Sequence, residues 1–175
     1  MDNNIVGAYI GVGSNIEPER NITDALAHLS KHVDITGISS FYKTTPFLRK
    51  NQDDYLNGVW QINTSISPEE LKFGVLRTIE KKLHRNRESD KYAPRTIDLD
   101  LLLYGDMLIQ KGDLTIPDPD IYKRSFIAFP LSELNPDLVM PDTKKPLIDI
   151  LSVLSKESMI PDITFTESLR RMVDV

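Results

Sequence analysis

The chain has 175 residues, of which 40% are hydrophobic, and a formal net charge of −5. This length and composition predict one folded domain spanning residues 1–175. The charge argues against nucleic-acid and anionic-membrane partners, and the absence of cysteine excludes disulfides and thiol catalysis. With no secretory signal and no apolar run near the roughly 20 residues that span a bilayer, we expect a cytoplasmic protein.

The first half of the chain predicts the order strand, helix, strand, strand, helix. β-Branched and aromatic side chains predict strands at residues 5–12, 33–42 and 55–66. An apolar stripe at helical spacing follows Glu17-Pro18, and a second follows Ser67-Pro68, where Ser is suited to cap the helix and Pro to begin it. The segment 44–54 between these elements has the composition of a loop.

The second half of the chain begins with a polar loop, residues 85–94, and a strand that follows it. A short hairpin is predicted around Lys111-Gly112-Asp113, and short helices near residues 130–134 and 147–155. Residues from 156 onward show less pattern. The order βαββαβ predicts an α+β fold, an antiparallel sheet with helices on one face, in the split βαβ or ferredoxin-like arrangement.

The strand after the polar loop carries two carboxylates. Asp98 and Asp100 alternate with apolar residues, so they share one face about 7 Å apart. The apolar residues assigned to the other face are Ile97, Leu99, Leu101 and Leu103. Asp is disfavoured in strands, and two like charges side by side repel. A divalent metal ion is the natural partner for such a pair.

The segment before this strand is basic. Residues 77–95 hold seven Lys or Arg and three acidic residues, a local balance of +4 in an acidic protein. Mg²⁺ is typically bound by one or two carboxylates plus substrate phosphates, and Arg binds phosphate oxygens in a planar fork. These are the components of phosphoryl transfer. The alternative is a solvated surface whose ion pairs contribute about 0–1 kcal/mol.

Two shorter motifs bear on the kind of ligand. Tyr55 and Asn57 share a strand face, and a ring beside an amide can cover and read a flat heterocycle. Phe126 is the candidate for a second ring. The alternative is a structural role at the start of a strand. The run from Gly11 to Ile16 lacks the third glycine of a dinucleotide fingerprint, and it favours a strand that ends in a turn.

The run Pro94-Arg95-Thr96-Ile97-Asp98-Leu99-Asp100-Leu101-Leu102-Leu103-Tyr104-Gly105 closely resembles the signature of 6-hydroxymethyl-7,8-dihydropterin pyrophosphokinases, enzymes of folate biosynthesis. The resemblance extends over about residues 5–155. Further similar segments, in order, are Tyr9 to Asn15, Ser39 to Pro46, Asp54 to Asn57, Ile116-Pro117, Arg124 to Phe126 and Pro130-Leu131.

The resemblance implies a reaction, a fold and a set of ligands. ATP would donate a pyrophosphoryl group to the hydroxymethyl oxygen of the pterin and release AMP. The fold would be ferredoxin-like, with two Mg²⁺ ions as cofactors and ATP as co-substrate. The partners would be these small molecules alone, with no nucleic acid and no membrane, and the protein a monomer.

The resemblance also implies roles for individual residues. Asp98 and Asp100 match metal ligands and, with Arg85 and Arg95, form the catalytic set. The residues that match pterin contacts are Thr44, Thr45, Phe47, Tyr55, Asn57 and Phe126. The residues that match ATP contacts are Arg77, Glu80, Arg87, Tyr92, Leu101, Thr115, Asp118 and Arg124.

The sequence departs from the family pattern at a few positions. Asp118 stands where the family usually has His, and a carboxylate near a polyphosphate would face away, bind through a cation or weaken ATP binding. Tyr92 stands where Trp is common. Asp118 leaves open the alternative of an impaired family member that acts as a scaffold. A second alternative is a ferredoxin-like RNA-binding module, since such sheets can stack bases on aromatic side chains.

Overall fold

The computed structural model describes residues 4–46, 51–87, 93–156 and 158–175. The strands are β1 (Val6–Ser14), β2 (Asp34–Ile38), β3 (Tyr42–Thr44), β4 (Tyr55–Thr64), β5 (Asp98–Tyr104), β6 (Ile109–Lys111), β7 (Leu114–Ile116) and β8 (Met159–Pro161). The centre of the structure is a six-stranded antiparallel sheet with the order β5-β1-β4-β3-β8, in which β2 also pairs with β4. A separate hairpin pairs β6 with β7.

Helices cover both faces of the sheet. They are α1 (Pro18–Leu29), α2 (Arg77–Lys82, continuing a π-helical segment Glu70–Leu76), a 3₁₀ helix (Pro119–Tyr122), α3 (Ser125–Leu134), α4 (Leu147–Leu151) and α5 (Ile163–Val173). The larger core lies under α1, α2 and α5, and a smaller core lies under α3 and α4 on the opposite face. The predicted α+β class is confirmed, but helices lie on both faces rather than one. None of the described helices is long and apolar enough to cross a bilayer.

The strand predicted at 33–42 consists of two strands. β2 and β3 both pair with β4, and the chain leaves the ladder between them at residues 39–41. There the Val59 N–H donates to the Ser39 Oγ at 2.8 Å. The Phe41 ring fills the space above Gly58, where a Cβ would come within 2.7 Å of the ring. The break thus lets a large buried ring pack against a glycine.

A β-bulge interrupts the alternation of β5. Tyr9 lies opposite Leu103 and Ile10 opposite Leu101, so Leu102 is an extra residue in β5. Beyond the bulge the faces exchange, and Leu103 joins the smaller core while Leu101 remains in the larger one. The prediction that Leu103 shares a face with Leu101 is therefore wrong, because an inserted residue shifts the period-two pattern.

The helix ends agree with the sequence signals at one end and differ at two others. The Glu70 N–H donates to the Ser67 Oγ at 3.3 Å, so the predicted cap is confirmed. The helix predicted at 130–134 begins earlier, at Ser125, and the one predicted at 147–155 ends at Leu151. Both differences exceed the one or two residues by which fraying shifts a helix end, so these two predicted boundaries are wrong.

The segment after residue 156, which the sequence left without structure, forms β8 and α5. The Phe165 N–H donates to the Asp162 Oδ1 at 3.1 Å, so Asp162 caps the helix. Phe165 and Leu169 are four residues apart and both are buried in the larger core. A capping residue followed by apolar residues at this spacing is a helix signal that the sequence reading missed.

The charge of Asp162 contributes to stability. Burial raises the pKa of its carboxyl, but the hydrogen bond from Phe165 and the ion pair with Lys43, at 3.1 Å, outweigh burial and hold this pKa below its usual range. The charged form therefore stabilises the fold, fully above about pH 4, the usual Asp pKa. This stabilisation is lost as the pH falls through the lower folded-state pKa.

We expect Asp162→Ala to lower the free energy of unfolding by about 1 kcal/mol at pH 7, the typical cost of a lost N-cap. The deficit should shrink as the wild-type carboxyl becomes protonated. Urea denaturation at pH 7 and near pH 3 measures both values, and Asp162→Asn, which keeps the capping oxygen, serves as the control. A deficit of equal size at both pH values would contradict the assignment.

Candidate active site

The predicted metal and pterin residues meet in one row across the sheet. Asp98 on β5 lies opposite Gly13 on β1, which lies opposite Asn57 on β4. Asp100 lies opposite Gly11 in the same way. Because directly opposed residues share a face of the sheet, both carboxylates and the amide project to the same side, with a glycine between them.

The strip of sheet face over Gly11 and Gly13, between the acids and the amide, is the groove of the candidate site. A Cβ at Gly13 would lie 2.7 Å from the Asn57 Oδ1, which is closer than real side chains approach, and a Cβ at Gly11 would lie 3.2 Å from Leu102. No other residue type fits at position 13 without displacing the amide. The two glycines thus let the Asn57 amide and the Leu102 side chain lie against β1 on the face that carries the carboxylates.

The amide of Asn57 is held in a defined orientation. Its Nδ2 donates to the Thr44 Oγ1 at 2.7 Å, and both side chains are buried. Among the residues that the structure describes, the second N–H and the Oδ1 of the amide have no side-chain or backbone partner and can pair with a ligand edge. Thr44 lies on β3 directly opposite Tyr55. Thr44 thus orients the Asn57 amide, and Tyr55 lies opposite Thr44 on the same face of the sheet.

The structure places three of the remaining four residues that were predicted to contact the pterin. Burial raises the pKa of the Tyr55 hydroxyl, and the charges of Arg95 and Asp98 also act on it, so this ring borders the acidic end of the groove. Phe126 lies in the first turn of α3, packed against the smaller core on the same sheet face. Thr45 directly follows β3. Phe47 lies outside the described residues.

The acidic pair is unequal in its surroundings. Asp98 forms an ion pair with Arg95, and the Arg85 Nε lies 3.8 Å from the Asp98 Oδ1. Burial, together with the charges of Asp98, Asp118 and Glu80, raises the pKa of Asp100 to about 8. A carboxylate in this position is stabilised by an added cation.

The donor set fits a metal that is shared with a ligand. Within the described residues, no group of three or more His, Asp or Glu side chains is arranged to hold a metal ion. Two carboxylates on one strand face match the pattern of Mg²⁺, which takes one or two protein carboxylates and completes its shell with water and phosphate oxygens. The neighbouring arginines suit the same phosphates.

Four predicted residues line one cavity of about 320 Å³ beside β5. The cavity is lined by Arg77, Glu80, Lys81, Arg85, Asn86 and Arg87. Glu80 is almost fully buried, and both its oxygens are engaged: Oε1 accepts from the Leu99 N–H at 2.9 Å and Oε2 from the Arg87 Nε at 3.0 Å. Glu80 thus fixes the β5 backbone between the two aspartates.

The β6–β7 hairpin closes this side of the site. Arg77 reaches Asp113 in the hairpin turn at 3.2 Å and stacks on the Phe73 ring at 4.4 Å. Thr115 is half-buried on β7. Leu101 is 1% exposed in the larger core, so its side chain packs rather than facing a ligand.

Asp118 is not turned away from the site. Its Oδ1 accepts from the Asp120 N–H at 2.8 Å and so caps the 3₁₀ helix, while its charge raises the pKa of Asp100. Arg124 precedes α3 and its N–H donates to the Asp120 carbonyl at 2.9 Å. Tyr92 lies outside the described residues.

Sequence reasoning missed the side chains that hold the start of β5. The Asn15 Oδ1 accepts from the Arg95 N–H at 2.7 Å, and the Ser14 Oγ donates to the Thr96 carbonyl at 2.6 Å. The Asn15 Nδ2 also donates to the Asp53 carbonyl at 3.3 Å. Small polar residues directly after a buried strand were the available signal. Lys72, whose charge acts on Asp100, was missed as well.

An α+β sheet with paired carboxylates, clustered arginines and an oriented amide defines a class of protein: one suited to bind phosphate groups next to a flat polar ligand. Comparison with known proteins narrows the class. A sequence model of the 7,8-dihydro-6-hydroxymethylpterin-pyrophosphokinase family matches residues 9–136. The chain belongs to this family.

Similar proteins support the assignment. The chain is 37% identical over 158 residues to a 2-amino-4-hydroxy-6-hydroxymethyldihydropteridine pyrophosphokinase of Synechocystis sp., covering 89% of this chain and 80% of the relative. It is 41% identical over 135 residues to the protein of the same name from Bacillus subtilis, and the match covers 75% of this chain and 78% of that relative.

The fold also resembles a solved structure. Plasmodium falciparum HPPK-DHPS matches with a TM-score of 0.64 over 99% of this chain. At 12% sequence identity this likeness concerns the fold alone, and the chain spans 44% of the length of that protein.

We expect Asn15→Ala to loosen the segment that carries Arg95, because the Arg95 N–H loses its acceptor. An unpaired buried donor costs about 1–3 kcal/mol. Urea denaturation gives the loss of stability, and amide hydrogen exchange at Arg95 should become faster. Asn21→Ala, at a half-buried asparagine in α1 that donates to the Ile16 carbonyl, is the control. Unchanged exchange at Arg95 would contradict the role of Asn15.

Proposed function

We propose that this protein transfers a pyrophosphoryl group from ATP to the hydroxymethyl oxygen of 6-hydroxymethyl-7,8-dihydropterin and releases AMP. The observation that carries the proposal is the row Asp98–Gly13–Asn57, which places a carboxylate of the candidate metal-binding pair and the ligand-reading amide on the same side of the sheet. Family membership supports the same reaction.

The pterin is bound at the β3–β4 end of the groove. Asn57, oriented by Thr44, pairs its free N–H and its Oδ1 with the donor and acceptor atoms of the pterin edge. Tyr55 and Phe126 cover the ring faces, while Thr45 and Phe47 complete the pocket. The hydroxymethyl group then points along the row toward Asp98.

The triphosphate of ATP is bound at the β5 end. Arg85 and Arg95 already lie beside Asp98, and on binding they turn to the phosphate oxygens that gain charge as the oxygen–phosphorus bond forms. The other residues assigned to the ATP end are Arg77, Glu80, Arg87, Tyr92, Leu101, Thr115, Asp118 and Arg124. Glu80 acts by holding β5 and Arg87 in place, and Leu101 by packing beneath the site.

Asp98 and Asp100 hold two Mg²⁺ ions in this proposal. When bound, Mg²⁺ neutralises phosphate charge and polarises the reacting phosphorus. The raised pKa of Asp100 supports a cation at this position, since an added positive charge favours its ionised form. Asp118 adds negative charge to the same region and strengthens the demand for a cation.

The chain acts as a single catalytic domain in this proposal. Its support is that β8, from the last part of the chain, pairs with β3 in the central sheet, and that α5 packs into the larger core. The acidic face at Asp98 and Asp100 disfavours the RNA-binding alternative, which would need a basic sheet face.

The direct test is AMP formation from ATP, the pterin and Mg²⁺, measured by chromatography. We expect AMP and pterin diphosphate in equal amounts, and neither when Mg²⁺ is chelated. A folded protein that forms no AMP above background would contradict the proposal and favour the scaffold alternative.

We expect Asp98→Asn and Asp100→Asn each to raise the activation free energy by on the order of 3 kcal/mol or more, because each removes a charged metal ligand. Steady-state kinetics at saturating substrates gives kcat. Asp106→Asn, at an exposed turn after β5, is the matched control and should retain wild-type turnover. Near-native kcat in both ligand variants would refute their metal role.

We expect Gly13→Ala to weaken pterin binding about tenfold or more, roughly 1.4 kcal/mol, because the new Cβ displaces the Asn57 amide. Gly7→Ala on the same strand, where the nearest atom to an added Cβ is 3.8 Å away, is the control. Calorimetric titration with the pterin measures both. Equal pterin affinities for the two variants would contradict the role assigned to Gly13.

A further inference from the structure

We propose that the C-terminal segment β8–α5 is a positioning element of the pterin pocket, acting through Phe41 and Thr44 on the amide of Asn57. This inference rests on the proposed function for its effect on catalysis. The segment lies beyond residues 9–136, the part of the chain matched by the family model.

The first link is strand pairing. β3 has three residues, with one edge paired to the Tyr55–Asn57 part of β4 and the other edge paired to β8. Met159 lies opposite Thr44, and Pro161 lies opposite Tyr42. A strand this short has few hydrogen bonds of its own, so its position depends on both neighbours. β8 supplies the support on the side away from the pterin residues.

The second link joins α5 to the break between β2 and β3. The Phe41 N–H donates to the Thr166 Oγ1 at 2.9 Å, and the Asp162 N–H donates to the Phe41 carbonyl at 2.8 Å. Arg170 donates through Nε and Nη2 to the Ile38 carbonyl, each at 3.0 Å. Backbone groups that left the sheet ladder are thus satisfied by α5.

The third link is packing. The Phe41 ring meets the Phe165 ring edge to face, with centroids 5.6 Å apart and planes at 81°. On its other side it lies against Gly58, the residue after Asn57. Phe41 is therefore held between α5 and the β4 backbone that carries the ligand-reading amide, so movement of α5 is transmitted to that backbone.

These links converge on the hydrogen bond between Asn57 and Thr44. Both ends of that bond stand on backbone that the C-terminal segment supports: Thr44 through β8 and Asn57 through Gly58 and Phe41. A small displacement of β3 would rotate the amide and misalign its donor and acceptor atoms. The segment therefore governs pterin affinity, while the Asp98–Asp100 end lies on the far side of β1.

The test replaces the acceptor of the Phe41 N–H. We expect Thr166→Val, which keeps the side-chain volume but removes the hydroxyl, to raise the KM and the Kd for the pterin about fivefold. The KM for ATP should change less than twofold. Thr166→Ser, which keeps the hydroxyl, should restore pterin affinity.

Two controls separate positioning from general loss of stability. Ile22→Val, in the larger core under α1, destabilises the fold while leaving the bonds of Thr166 and Arg170 intact, and it should leave the pterin KM unchanged. If Thr166→Val does not fold, Arg170→Ala replaces it, with the exposed neighbour variant Arg171→Ala as its control. Equal rises in the KM for ATP and for pterin, or equal effects of test and control variants, would overturn the proposal.

A substrate-free measurement distinguishes this inference from the proposed function. The side-chain NH₂ signals of Asn57 in the ¹⁵N–¹H spectrum should shift in Thr166→Val and remain unchanged in Ile22→Val. Unshifted signals in Thr166→Val would overturn the coupling whether or not the protein forms AMP. A wild-type protein that forms no AMP while the signals shift would contradict only the proposed reaction.

Discussion

The repulsion between Asp98 and Asp100 is the interaction on which the rest of the site depends. Two carboxylates project from adjacent positions of one strand face, and burial with neighbouring negative charge raises the pKa of Asp100 to about 8. Such a pair costs free energy unless positive charge is supplied. Arg95 and Arg85 supply part of it at Asp98, and a bound metal ion would supply the rest.

The fold places this pair opposite two glycines and in line with the amide. Gly11 and Gly13 occupy the facing positions of β1, and the next strand presents Asn57 across the gap. Glu80 then fixes the backbone between the two aspartates, and Asn15 fixes the backbone before them. Helices α3 and α4 pack on this face through the smaller core, and the arginine-lined cavity is lined in part by Glu80.

The sequence predicted those features that are local. The alternation of β5 placed both aspartates on one face, and the Ser67 cap was correct because capping is decided within four residues. The break at Phe41 and the bulge at Leu102 were not predictable in this way, since each depends on which distant residue lies opposite. Helix α5 carried a readable signal in Asp162 and Phe165, but its contact with β3 is tertiary.

The central claim is that Asp98 and Asp100 bind the metal ions of a nucleotide in the groove beside Asn57. Anomalous diffraction from crystals grown with Mn²⁺ and a non-hydrolysable ATP analogue tests it most directly. The account predicts Mn²⁺ peaks within coordination distance of both carboxylates, with the phosphates on Arg85 and Arg95. Bound nucleotide whose metal peaks lie away from both aspartates would contradict the account.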